Sequence, residues 1–199
     1  MAVDVGANVG QWAMNLRRSG YTGRILSVEP LATAFRSLQR AAEGDPDWSV
    51  LQAAVGAVDG TATLHISKNS VSSSILEIQE SHLDASPQSR VIAEEATVVR
   101  RLDSILQEHL DPGTRTFLKL DVQGFESHVL NGASKSLDSA MGLEIELSLV
   151  DLYAGQATYL DLISRISLLG FEPWHLEPVF TDPVTGRTLQ VDGLFFRRD

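Results

Sequence analysis

The chain has 199 residues, 43% of them apolar, and a mass of 21.7 kDa; that is one domain's worth of sequence with enough apolar material for a sizeable core, so a wholly disordered chain is excluded. Cysteine is absent, which removes disulfide scaffolds, thiolate metal sites and cysteine nucleophiles together. With 16 basic against 26 acidic residues the net charge is −10, which repels a phosphate backbone and favours a small-molecule ligand over nucleic acid. No run approaches the roughly 18 apolar residues of a membrane-spanning helix. Residues 1–10 have neither a basic n-region nor a long apolar h-region, so a soluble, unexported, cytoplasmic protein is expected.

In chain order, short β-rich runs alternate with segments apolar at helical spacing, the pattern of a mostly parallel sheet with helices on both faces. Residues 1–5 predict a strand ended by Gly6. Val9, Trp12, Ala13 and Leu16 then predict a helix, with Gly20 at its C-terminal turn. Residues 24–28 make a second strand. Leu31, Ala34, Phe35, Leu38, Ala41 and Ala42 mark a second helix, closed by Gly44 and Pro46. Residues 48–55 predict a third strand, and Asp59-Gly60 a hairpin turn between 55–58 and 61–66. Serine-rich residues 69–74 have no periodicity and read as an exposed loop, while 75–94 carry at most a short helix. A strand over 96–101 leads to a helix at Leu102, Ile105 and Leu106 that stops before Pro112-Gly113. A strand over 116–121 precedes a helix with Phe125, Val129, Ala133 and Leu137 on one face. A strand over 142–150, a helix from Tyr159 to Leu169, and an antiparallel pair, 171–179 and 189–197, complete one domain over 1–199.

In such a sheet the ligand crevice lies beyond the carboxyl ends of the strands. Three motifs fall there. The first, Asp4-Val5-Gly6-Ala7-Asn8-Val9-Gly10, runs straight into a helix; its glycines permit tight turning and close backbone approach. It lacks the third glycine of a dinucleotide fingerprint and the lysine of a P-loop. The second is Glu29-Pro30, 19 residues past Gly10 and at the end of the adjacent strand, where a carboxylate can hold vicinal ribose hydroxyls. Pro30 near N1 and an acid at a helix N-terminus is the plain structural alternative. The third is the run from Leu118 to Glu126: strand alternation puts Phe117, Lys119 and Asp121 on one face, with Asp121 facing the crevice. Glu144 and Glu146 share a face of the following strand, so Lys119 is expected to neutralise at least one of them.

DVGANVG at 4–10, EP at 29–30, AAVGAVDG at 53–60, RRLDSIL at 100–106, LKLDVQGFESHVLNGA at 118–133 and EIE at 144–146 together resemble the FkbM-type family of S-adenosylmethionine-dependent methyltransferases. The resemblance runs from residue 3 to the DGLFF at 192–196. It implies a Rossmann-like class I methyltransferase fold, a seven-stranded, mostly parallel sheet with an antiparallel last strand. It further implies O-methylation of a hydroxyl on a sugar, glycolipid or polyketide-type natural product. By the same resemblance Asp4, Gly6, Asn8 and Gly10 line the methionine end of the cofactor. Glu29, beside Pro30, holds the ribose; Ala54 and Val55 lie near the adenine; and Asp121 sits below the sulfonium. The family commonly has glutamate where Gln123 stands. Relatives also usually carry a segment before the first motif that covers the site, so the chain is expected to lack such a cap.

An alcohol is a weak nucleophile at neutral pH, so a base or a metal is expected. The candidates are Asp121, Glu146, His128 and His175, and Asp121 with Glu146 could form an oxygen-rich site for a divalent cation such as magnesium. The partner is a small hydroxylated acceptor, with no nucleic acid and no integral membrane segment; a homo-oligomer stays open. Two rivals remain, a nucleotide-linked dehydrogenase and a degenerate cofactor-binding domain without turnover.

Overall fold

The computed structural model describes residues 1–111 and 113–198. The run AVDV forms β1 (Ala2–Val5), stopped by Gly6 in a left-handed turn at φ +84°. Helix α1 (Gln11–Arg18) starts after Gly10, also left-handed, and ends on Arg17 and Arg18, whose charges suit the negative end of a helix dipole. There follow β2 (Ile25–Val28), α2 (Ala32–Ala42), β3 (Trp48–Leu51), β4 (Ala54–Val55) and β5 (Gly60–Ser67). Next come α3 (Glu80–Ala85), β6 (Val91–Arg100), α4 (Leu102–His109) and β7 (Thr116–Leu120). The remainder is α5 (Glu126–Asn131), α6 (Ser134–Ser139), β8 (Ala140–Ser148), α7 (Tyr159–Leu168), β9 (Phe171–Thr181) and β10 (Thr188–Arg197).

Seven strands form one sheet in the order β3-β2-β1-β7-β8-β10-β9. The first five run parallel, and β10 is antiparallel to both β8 and β9. The order reverses between β1 and β7, which places the crevice at Gly6 and Asp121. One face carries the main core: Val3, Val5, Leu26, Val28, Leu118, Leu120 and Ile145 pack against Leu102, Ile105, Leu130 and Ile166 of the covering helices. Each such burial contributes about 1.5–3 kcal/mol. The other face holds a smaller cluster of Ala2, Ile25 and Trp48 under Ala13 and Leu38.

The structure corrects four sequence expectations. The strand expected over 48–55 is two: β3 stays in the main sheet, and β4 leaves it for a three-stranded sheet of order β4-β6-β5. The Asp59-Gly60 hairpin does not form, because β5 pairs antiparallel with β6, and β4 pairs with β6 rather than with β5. Asp59 instead accepts the Arg101 backbone N–H at 2.7 Å. The single helix expected over 125–137 breaks at Gly132, where a Cβ would collide with the carbonyl oxygen of Gly56. The serine-rich segment is no exposed loop: Ser72 and Ser74 are buried. Pro112, part of the expected stop after α4, lies outside the described residues.

Candidate functional site

A cavity of about 320 Å³ opens at the ends of β1, β2 and β7. On one side stands Glu29, 5% exposed. Its Oε2 accepts the Asn8 backbone N–H at 2.7 Å and its Oε1 the Leu31 N–H at 2.8 Å. Burial pushes this carboxyl up to about 7, against the pull of those two donors. Asn8 itself is left-handed, φ +48°, a conformation that asparagine tolerates better than most residues. Gly6 has no alternative, since a Cβ there would strike the Asp121 carbonyl oxygen.

The floor is built by Asp121, Gln123 and Glu146, all lining the cavity. Strands β7 and β8 put Lys119 opposite Glu144, yet the Lys119 ammonium bonds Asp121 Oδ2 at 2.8 Å. Glu144 instead accepts the Trp12 indole N–H at 3.2 Å. The Lys119 ammonium thus pairs with the aspartate just past the end of β7 and acts on Glu144 and Glu146 only through its field. Burial raises the Asp121 carboxyl, but Lys119 and the Gln123 amide overcome it and hold it below the usual range. The Gln123 Nε2 donates to Asp121 Oδ1 at 2.8 Å and to both oxygens of Glu146 at 3.1 Å. Glu146 is pushed well above the normal carboxylate range by burial and by Asp121, Glu126 and Asp192. Two neighbouring acids behave oppositely because a cation touches only one of them.

The walls differ in chemistry. Pro30, Ala53, Ala54, Val55, Leu64 and Phe125 make one side apolar. The serine loop, also in the lining, is knitted by Asn69, whose Nδ2 donates to Ser72 Oγ at 3.0 Å and Ser89 Oγ at 3.1 Å. Ser74 Oγ donates to the Gln123 carbonyl at 2.7 Å, tying this wall to the floor. His82, 2% exposed, also lines the cavity. Burial lowers its imidazole to about 4, which keeps it neutral; its ring meets Tyr153 edge-on at 5.2 Å.

Gly6, Asn8, Glu29, Pro30, Ala54, Val55, Asp121 and Glu146 are therefore brought to one cavity. Asp4 lies one step behind it, wholly buried and opposite Lys119 in the sheet, with neither oxygen hydrogen-bonded among the described residues. Burial, above all, raises its carboxyl to about 7, with Lys119 pulling the other way. Gly10 faces Leu38 and Trp48 rather than the cavity. His128 stacks flat on Phe125 at 4.0 Å, and His175 sits exposed on β9 with Glu177 at 3.1 Å; neither lines the cavity. His82 and Tyr153 escaped the sequence reading, and the serine segment was read there as an exposed loop. The one available signal was Gln123-Gly124, a polar residue at φ +55° before a glycine at φ +91°. Among the described residues no group of three His, Asp or Glu side chains is arranged to hold a metal ion, and the Gln123 amide stands between the two floor carboxylates.

The family model described as the methyltransferase FkbM domain matches residues 4–173. No curated protein matches the chain in sequence. Among solved structures, the methyltransferase FkbM of Methylobacillus flagellatus KT aligns with a TM-score of 0.58 at 16% identity, over 98% of this chain and 43% of that one. The 1,6-didemethyltoxoflavin-N1-methyltransferase of Burkholderia thailandensis, solved with its substrate and S-adenosylhomocysteine, aligns at 0.54 and 11% identity, over 100% and 71% of the two chains. The fibrillarin of Aeropyrum pernix, with natively bound S-adenosylmethionine, aligns at 0.52 and 13% identity, over 96% and 65%. The likeness to all three is one of fold, the class I methyltransferase sheet. The chain spans less than half the length of the Methylobacillus protein.

Proposed function

Because this chain belongs to the FkbM methyltransferase family, we propose that it binds S-adenosylmethionine in the cavity beside β1, β2 and β7. From there it passes the methyl group to a hydroxyl oxygen of a sugar, glycolipid or polyketide-type acceptor. The observation that carries this reading is Glu29: each carboxylate oxygen takes one backbone N–H and keeps a lone pair for a vicinal hydroxyl. The donor set fits the cofactor. The apolar wall of Ala53, Ala54, Val55 and Phe125 suits a purine. Asp121, kept ionised by Lys119, suits the amino group below a sulfonium.

When bound, S-adenosylmethionine supplies a methyl group already activated for displacement. What remains for the protein is alignment and the removal of one proton. Glu146 lies on the cavity floor with a raised affinity for protons, which suits a carboxylate that takes a hydroxyl proton late in the transfer. Gln123 holds that carboxylate in place. Ser72 and Ser74, both buried, close part of the cavity wall. A divalent cation finds no ligand set among the described residues.

Calorimetric titration with S-adenosylhomocysteine tests the cofactor half of this reading. Saturable binding supports it, and binding of NAD in its place would overturn it in favour of a dehydrogenase. A screen of hydroxylated acceptors with labelled S-adenosylmethionine tests the other half; binding without turnover on any acceptor would leave a cofactor-binding domain.

A further inference from the structure

Gln123 can meet the floor in two ways. Its side-chain amide presents either its NH₂ or its oxygen to Asp121 and Glu146, two shapes that are nearly identical and differ only in hydrogen bonding. Tyr153 decides between them. Its ring is 1% exposed, and its hydroxyl lies 2.6 Å from Gln123 Oε1 and 3.3 Å from the Ser72 carbonyl. A phenol has one proton, and the shorter contact takes it. With Oε1 so engaged, Nε2 is directed at both carboxylates.

We infer that Tyr153 is a positioning residue, which by fixing the orientation of the Gln123 amide keeps Glu146 presented as a proton acceptor. This rests on the reading of Glu146 as the group that takes the acceptor's proton. Without the phenol the amide is free to turn. Its oxygen would then face two carboxylates, an arrangement that repels unless Glu146 carries a proton to donate to it. Loss of the Tyr153 hydroxyl therefore favours protonated Glu146 and removes the base. The groups that set the proton balance of Glu146 are Asp121 and Lys119 from β7 and its end, Glu126 from α5, and Asp192 from β10. Tyr153 meets His82 of α3 edge-on and lies in the field of Glu146, Glu126 and Asp121, with no cation acting on it among the described residues. All of these groups are retained when the phenol becomes a phenyl, and the Gln123→Leu background separates any direct effect of the phenol from that of the amide.

The test follows the Glu146 carboxyl by ¹³C NMR in protein labelled at glutamate carboxyls, with the signal assigned through Glu146→Gln. In Tyr153→Phe its midpoint is expected about one pH unit higher than in the wild type, the size of one hydrogen bond to a charged group. In a Gln123→Leu background the same substitution is expected to have no effect. An unchanged midpoint in Tyr153→Phe, or an equal shift in the Gln123→Leu background, would overturn the inference, since a merely structural tyrosine would act without Gln123. Should the phenylalanine variant fail to fold, 3-fluorotyrosine, a stronger donor of the same shape, is expected to lower the midpoint, and an unchanged or higher one overturns it. Failure of the wild type to bind S-adenosylhomocysteine would overturn the function proposed above while this titration still decides the role of Tyr153.

Discussion

Two buried carboxylate sites, one on α4 and one lining the cavity, have been given opposite environments. Asp103, on α4, accepts the Ser136 N–H at 2.9 Å, the Ser136 hydroxyl at 2.8 Å, the Ser134 hydroxyl at 3.2 Å and the Lys135 N–H at 3.3 Å. It fills the open N-terminus of α6 from a neighbouring helix, as a capping residue does from within its own. Burial alone would raise it, but these donors win and its carboxyl is lowered. Glu29 and Glu146 are buried at least as deeply with fewer donors, and both are raised. Depth and the supply of N–H and O–H groups together decide whether a buried acid is raised or lowered.

The contrast can be broken in several ways. The largest effect is expected at Glu29→Ala, which should weaken S-adenosylhomocysteine binding by about 100-fold, the loss of charge-assisted hydrogen bonds to two hydroxyls. Calorimetry reads it directly, and affinity equal to the wild type would remove Glu29 from the site. Asp103→Ala should do the reverse, costing about 2 kcal/mol of stability in chemical unfolding through loss of the α6 cap, while ligand affinity stays put.

Acid and base titrations then separate the two classes by sign. Asp103 has a depressed folded pKa, so its contribution is complete above its unfolded value, near 4, and is lost as pH falls through the folded value. Glu29, raised to about 7, holds a proton when folded that the unfolded chain has released. Its effect is therefore a loss of stability as pH rises from about 4 to about 7, on the order of 1–3 kcal/mol across that window. Stability curves of Glu29→Gln should be flatter there than those of the wild type, and curves of Asp103→Asn flatter below pH 4. The smallest effect belongs to His175→Ala. An exposed pair on an edge strand is worth at most a few tenths of a kcal/mol, and cofactor affinity should change by less than twofold.

The main sheet was legible because its signals are local. A period-two run ended by Gly6, and Glu29 at the close of the next run, name their own positions. The helices over α1, α2 and α7 follow in the same way from 3.6-residue spacing. The small sheet was not legible, because the partner of β5 begins more than 20 residues downstream of it. An Asp-Gly pair advertises a turn without saying which strand will pair across it. The wall from Asn69 to Ser74 failed for a different reason. Polar side chains that bond one another leave no periodicity, so a loop fastened by Asn69 reads in sequence like one left in solvent. His82 and Tyr153 were invisible as site residues. Each is a single ring whose meaning comes from partners far along the chain: His82 meets Tyr153 and Phe180, and Tyr153 meets Gln123.

Gly6 has one more consequence. With no room for even a methyl group between it and the Asp121 carbonyl, the first turn and the end of β7 form a close-packed seam. Whatever is gripped at Glu29 and whatever reacts above Gln123 thus share a common frame. The serine segment is fastened to the same frame through Ser74 and the Gln123 carbonyl, so a change in that wall is felt at the floor.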